Sequence, residues 1–212
     1  CPIVLTLLVS FPSVQNFVVD KTTEFISQKI GTHVEIDRVR IGILGSLRVD
    51  GLYIEDFQQD TLLYAGKVKV FLARIPDKDG LSLRDGILSN VVLNIKEAPS
   101  GKMNIKEVVD YIRGDRKPEK KEFALHVNDV RVDNVSLIIE KQRHRNPAYG
   151  VDYGNMRINY MSAFVDDFYF DSGVVGGYIR NFSAVERSGF MVQNFTGRFA
   201  VDKGVVDLRD FE

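Results

Sequence analysis

Cysteine, tryptophan and histidine are the scarce residues of this 212-residue chain, and each scarcity removes a class of explanation. One cysteine, Cys1, leaves no internal disulfide to staple the fold, and a cysteine-free interior suits a reducing cytosol or a periplasm. The three histidines, His33, His126 and His144, stand far apart without the neighbour spacing of a metal site. His33 and His126 adjoin strand-like sequence and read as ordinary surface residues. Charge of one sign is also missing: 28 basic and 29 acidic side chains leave a net −1, which gives no electrostatic reason to bind nucleic acid. The apolar run at residues 2–11 is ten residues long, short of the roughly 20 that a membrane-spanning helix needs.

Apolar and β-favouring sequence is present in quantity. Hydrophobic residues make up 44% of the chain, enough for a core and too many for wholesale disorder. The 14 Phe and 8 Tyr favour strands, and the length allows one large domain or two small ones. The chain starts at Cys1 without a methionine and stops just after a strand-like run, so it reads as an internal fragment of a longer protein. Residues 1–11 then read as the end of a transmembrane helix, with Ile3, Val4, Leu5, Leu7, Leu8, Val9 and Phe11 in the membrane, because nothing charged interrupts them. A signal-peptide remnant and an ordinary buried segment are the alternatives. A lipid-modified Cys1 is disfavoured by the bulky residues that follow it.

Pro12 breaks the run, and Ser13 can cap a new helix. Val14, Phe17, Val18, Phe25, Ile26 and Ile30 follow helical spacing against Lys21, Glu24 and Lys29, which predicts an amphipathic helix over residues 12–31, closed by Gly31. From His33 the period changes to two, and residues 32–114 read as a first β section. A turn is expected at 76–80. A short helix is expected at 104–113, capped by Asn104, with Glu107 reaching back to the cap and Val108, Val109 and Ile112 as its apolar face. Residues 115–122 form a charged loop around Pro118, and 123–212 continue the β section in separate short runs, among them 123–127, 130–132 and 135–140.

One local pattern recurs: apolar, polar, then Gly, Asn or Asp, then apolar, any, apolar. Its third position falls at Gly51, Asn90, Asp129 and Asn134, and in looser copies at Asp167, Asn181 and Asn194. Residues three apart on a regular strand point to opposite faces, yet here both are apolar. A bulge at the third residue restores the alternation, and these residue types tolerate the left-handed backbone it uses. A tight turn at each site is the competing reading. Repeated bulges curl a sheet, and a curled sheet with one apolar face makes a barrel or an open trough.

Candidate reactive residues are few. Asp166 and Asp167 are adjacent, so strand geometry sends them to opposite faces and away from a shared proton. The basic cluster at 141–145 reads as a solvated loop tip, with lipid headgroup contact as the sharper alternative. The glycines at 42–45 and 173–177 lack the strand–loop–helix setting of a phosphate loop. The glycosylation-type triplets at Asn134, Asn181 and Asn194 arise from the bulge pattern itself. No nucleophile–base pair is present, so no catalysis and no cofactor are expected.

Three stretches carry a resemblance. They are Pro12-Ser-Val-Gln-Asn16 after the apolar run, Gly51-Leu-Tyr-Ile-Glu-Asp56 followed by Asp60-Thr-Leu-Leu-Tyr-Ala-Gly-Lys-Val-Lys-Val70, and Gly101-Lys-Met-Asn-Ile105 opening a short helix. In that order they resemble the N-terminal part of the AsmA-like proteins, in particular the TamB branch. The likeness covers residues 2–140, and the remainder is generic strand sequence. It implies a mainly β protein: an elongated, curved β-sheet forming an open apolar groove, with an N-terminal membrane-exit helix and a short second helix. It also implies anchoring in the inner membrane with the bulk in the periplasm. The implied role is movement of phospholipid between membranes, or help in assembling outer-membrane proteins beside an Omp85-type barrel. On that reading the groove lining is expected to include Val68, Val70, Leu72, Val91, Leu93, Ile95, Leu125, Val127, Leu137 and Ile139, with acyl chains as the ligand. The full transmembrane helix and the C-terminal region of the family are missing from this sequence, so barrel docking is not placed on these residues.

Overall fold

The computed structural model describes residues 23–24, 27–42, 45–74, 80–113, 124–142, 150–171, 174–202 and 205–212. The protein is mainly β, with nine strands in a single mixed sheet whose spatial order is the order of the chain. These are β1 (Val34–Gly42), β2 (Ser46–Glu55), β3 (Thr61–Leu72), β4 (Gly80–Lys96), β5 (Ala124–Glu140), β6 (Asn155–Asp171), β7 (Val174–Glu186), β8 (Met191–Asp202) and β9 (Val205–Arg209). Neighbours pair antiparallel throughout except β4 and β5, which run parallel. A parallel pair needs a long return connection, and helix α1 (Asn104–Arg113) lies in it. β1 and β9 form the two edges, and the described residues contain no second sheet.

Residues 1–22 lie outside the described residues, and with them the expected transmembrane end at Ile3–Phe11 and most of the expected helix over 12–31. Residues 23–24 and 27–30 are helical. Gly31 closes that turn as the sequence indicates, with φ +80° and its N–H donating to the Ser27 carbonyl at 2.8 Å. Among the described residues no helix is long and apolar enough to cross a membrane. The charged loop at 115–122 and most of the expected turn at 76–80 and basic cluster at 141–145 also fall outside.

The bulge pattern sits inside continuous strands, and the tight-turn alternative is wrong. The expected separate runs at 123–127, 130–132 and 135–140 are one 17-residue strand, β5. Gly51, Asn90, Asn134, Asp167, Asn181 and Asn194 all have φ between +50° and +63° and all lie within strands. Asp129 does not share that backbone, and Tyr160, with φ +55°, does. Tyr160 is the third residue of Ile158-Asn-Tyr-Met-Ser-Ala163, a copy that a search for Gly, Asn and Asp passes over.

Packing shows the consequence for side-chain direction. Ile36 and Val39 are three apart on β1, and Val49 and Leu52 three apart on β2, yet all four pack in one cluster with Val34, Ile54 and Ile30. On β4 and β5, a Cβ built on Gly86 would meet Val127 and Val130 together. The apolar residues on either side of the bend therefore share a face.

Helix α1 starts where expected, but its cap works differently. Asn104 is 1% exposed; its Oδ1 accepts from the N–H groups of Ile105 (2.8 Å) and Lys96 (3.0 Å). Its Nδ2 donates to the Asp56 carboxylate (2.9 Å) and the Asn94 carbonyl (3.1 Å). Glu107 does not reach back to the cap. Its carboxylate accepts from Ser100 Oγ (2.6 Å) and Gln58 Nε2 (3.4 Å), which lie closer to hand. Of the expected apolar face only Val108 is buried; Val109 and Ile112 are exposed, because the helix turns its Asn104–Val108 side to the protein.

Candidate functional site

Strand register puts the apolar residues of all nine strands opposite one another, and opposite residues on neighbouring strands share a face. On the β3–β4 pair, Val68 faces Leu88, Val70 faces Gly86, Leu72 faces Leu83, and Leu63 and Ala65 face Leu93 and Val91. Across the parallel pair, Leu81, Leu83, Val91, Leu93 and Ile95 meet Leu125, Val127, Val135, Leu137 and Ile139. The register thus brings the ten residues singled out in the sequence into one apolar sheet face.

That face extends beyond these ten residues. Leu125 and Val127 continue to Phe170 and Phe168 on β6, and Leu137 and Ile139 to Ile158 and Met156. Val165 continues to Ile179, Phe170 to Val175, and Phe182 to Phe195. Phe199 then faces Leu208 on the edge strand β9. Part of the signal was available in the looser bulge copies, whose flanking residues include Val165, Phe168, Phe170, Ile179, Phe182 and Phe195.

Burial along the face is incomplete. Of the ten residues, Val91 and Val127 are buried, Leu72 is exposed, and the other seven are half-buried. In a one-layer sheet, apolar side chains have neighbours beside them on the sheet but no layer above.

One ionisable group interrupts the face. Glu186 ends β7 opposite Ile158 and is 7% exposed. Hydrogen bonds from the Ser188 hydroxyl and N–H, with the Arg157 and Arg187 N–H groups, hold its carboxyl below the ordinary 4.5 against the opposing effect of burial. This carboxylate closes the β7–β8 turn.

The bends line up across the sheet. Asp50, Leu52 and their partners Lys67 and Ala65 keep one register on both sides of Gly51, so Gly51 lies level with Gly66. By the same counting Gly66 is level with Asn90, and Asn90 with Asn134. Asn134 Nδ2 donates to Asn90 Oδ1 at 2.7 Å, one rung of an amide ladder across the parallel pair. Gly51, Asn90 and Asn134 of this row are left-handed and Gly66 is not, so the level bends of β2, β4 and β5 follow a common line.

His33 and His126 are exposed as expected, and the His33 ring bonds its neighbour Glu35 (2.9 Å). Asp166 pairs with Arg180 at 2.6 Å, while Asp167 occupies the left-handed bend. Among the described residues no group of three His, Cys, Asp or Glu could hold a metal ion. No protein-family model matches the chain, and no curated protein matches it in sequence.

Proposed function

We propose that this is an inner-membrane-anchored protein of the periplasm that moves phospholipid between the inner and outer membranes, holding acyl chains along a groove formed by the apolar face. The observation that carries this is the register: apolar meets apolar from β1 to β9, with most of those side chains half-exposed. An apolar surface of that extent calls for a ligand, a lid or a partner. Acyl chains suit it because their burial is non-directional, worth about 0.8 kcal/mol per CH₂. The aligned bends support a face curled around its ligand, and Ile30, packed on the β1–β2 cluster, supports the preceding helix as a plug at that end.

A photo-crosslinking residue at Leu93 or Ile139 in membrane-reconstituted protein is expected to capture phospholipid. Val70→Asp and Leu93→Glu should abolish capture at the remaining position while the strand content by circular dichroism survives. Capture that persists in both variants refutes the assignment.

A second reading is a scaffold for outer-membrane protein assembly with an Omp85-type barrel partner, taking client strands on an open sheet edge. The observation favouring it is β9, a five-residue edge strand whose Val205 and Val206 are 68% and 61% exposed. Crosslinkers at Val205 and Val206 that trap protein, with none trapping lipid at Leu93, would select it.

A further inference from the structure

The opposite face of β5–β9 carries a cleft of about 540 Å³. Two rows of cross-strand neighbours build it. His126, Tyr169, Gly176, Ala200 and Asp207 form one row, of which all but Gly176 line the cleft, and Tyr178, Arg198 and Arg209 form the next. All alternate with residues of the apolar face, so the cleft and that face lie on opposite sides of one sheet. Gly176 and Ala200 matter for their smallness. A Cβ at Gly176 would clash with the phenol end of Tyr169, so the glycine leaves room for that ring to line the cleft.

The polar groups are unequally committed. Arg209 is held by Asp207 through Nε (2.9 Å) and Nη2 (2.5 Å), and that bond keeps Asp207 below the ordinary carboxylate range. Arg198 is far looser. Its Nε is 3.8 Å from Asp210, with both side chains mostly exposed, and its guanidinium lies over the Tyr178 ring at 5.7 Å. An exposed pair at that distance holds a guanidinium weakly. Among the described residues no hydrogen bond engages the Tyr169 or Tyr178 hydroxyl or the His126 ring. A fork of guanidinium donors, two phenols and an imidazole therefore converge on one space, with Asp167 at its margin.

We propose that this cleft is a binding site for a small phosphate ester, with its phosphate on Arg198 and the tyrosine hydroxyls and its body against the Tyr169 and Tyr178 rings. Three phosphate oxygens use more of these donors than a carboxylate does, and a guanidinium matches them in geometry. Asp167 supplies an acceptor for a hydroxyl or ammonium elsewhere on the ligand. The site is independent of acyl-chain binding.

The phosphate belongs to a stripped lipid headgroup or to a soluble ester, and calorimetric titration separates them. Glycerophosphoethanolamine and phenyl phosphate are titrated into the full chain, neither carrying acyl chains. Saturable binding of either supports the site, and the tighter one names the source. Arg198→Gln should weaken it at least about tenfold, the scale of a lost hydrogen bond to a charged group. Tyr169→Phe should weaken it several-fold, with the melting temperature of both variants unchanged. Gly176→Val should remove it by displacing the Tyr169 ring. Absence of saturation with both probes at millimolar concentration overturns the proposal, as does equal binding by wild type and Arg198→Gln.

Discussion

Strands β1–β4 and strands β5–β9 carry the same alternating code with the same bend residues, yet they meet different surroundings. Among the described residues nine of the thirteen buried apolar side chains precede β5, among them Val34, Ile36 and Val39 under Ile30, and Val108 of α1. The later strands bury Val127, Ala163, Val165 and Ala184, while Phe164, Met191 and Val205 remain exposed. In the first region a helical turn and a helix have packed onto the sheet. In the second nothing among the described residues covers it. Local pattern sets which way a side chain points, and burial depends on whether another element arrives.

The bends differ too. Across β2–β5 the left-handed residues sit level, and pairing keeps its register past them, apart from the outer ends of those strands. From β5 to β8 the register slips by one residue at the bends and then returns, except past Asp167 on β6–β7, where the shift persists to the end of the pair. Level bends give a shared fold line, whereas slipped ones let each strand turn separately and add local twist.

The largest expected effect tests whether the two regions are one unit. Asn104→Ala removes four hydrogen bonds at a buried node and takes from Asp56 Oδ2 its amide donor, while Oδ1 keeps the Gln58 and Asp60 N–H groups. We expect a loss of about 2–4 kcal/mol in urea unfolding. Amide exchange in β5–β9 should respond less than in β1–β4; equal acceleration in both would show a single cooperative unit and dissolve the contrast.

Next comes the fold line itself. Asn90→Val places a β-branched residue at φ +56° and breaks the bond from Asn134, for an expected loss of about 2–3 kcal/mol. Asn90→Gly keeps the backbone and should lose about 1 kcal/mol. If both variants lose the same amount, the left-handed backbone is not what the position requires.

The β7–β8 turn is sensitive to acid. Glu186 is depressed in the folded state, so its contribution is complete above the unfolded-state value and is lost as pH falls through the lower folded one. Glu186→Gln should therefore flatten the stability profile below pH 4.5 and lower stability at neutral pH. A profile identical to wild type would remove Glu186 from the account of this turn. The smallest effect has the opposite sign. Tyr160 is a tyrosine at φ +55°, and Tyr160→Gly should raise stability by about 1 kcal/mol, read as a higher urea midpoint. No gain would mean that Tyr160 makes up the strain through contacts of its own.

The β character, the Asn104–Arg113 helix, the Gly31 stop and all but one of the left-handed bends within strands were legible in the residues, because each depends on a backbone preference expressed within a few positions. Tyr160 was not legible, since a tyrosine at that backbone angle is held there by its strands and not by its own preference. Glu107 was misread because a capping box specifies a partner that Ser100 and Gln58, brought close by the fold, took instead. The ten apolar positions were legible as a set, but their continuation through Phe168, Phe182, Phe195 and Phe199 needed the strand order.

The sequence by itself determined that this chain alternates, bends at Gly, Asn and Asp, and keeps its apolar side chains on one side of each bend, since these follow from chirality and side-chain size. Only the tertiary structure decided that the strands join in a single open sheet, that their bends fall level from β2 to β5, and that one end of the apolar face is covered while the other is not. Those outcomes depend on pairing between residues dozens of positions apart, which no local preference encodes.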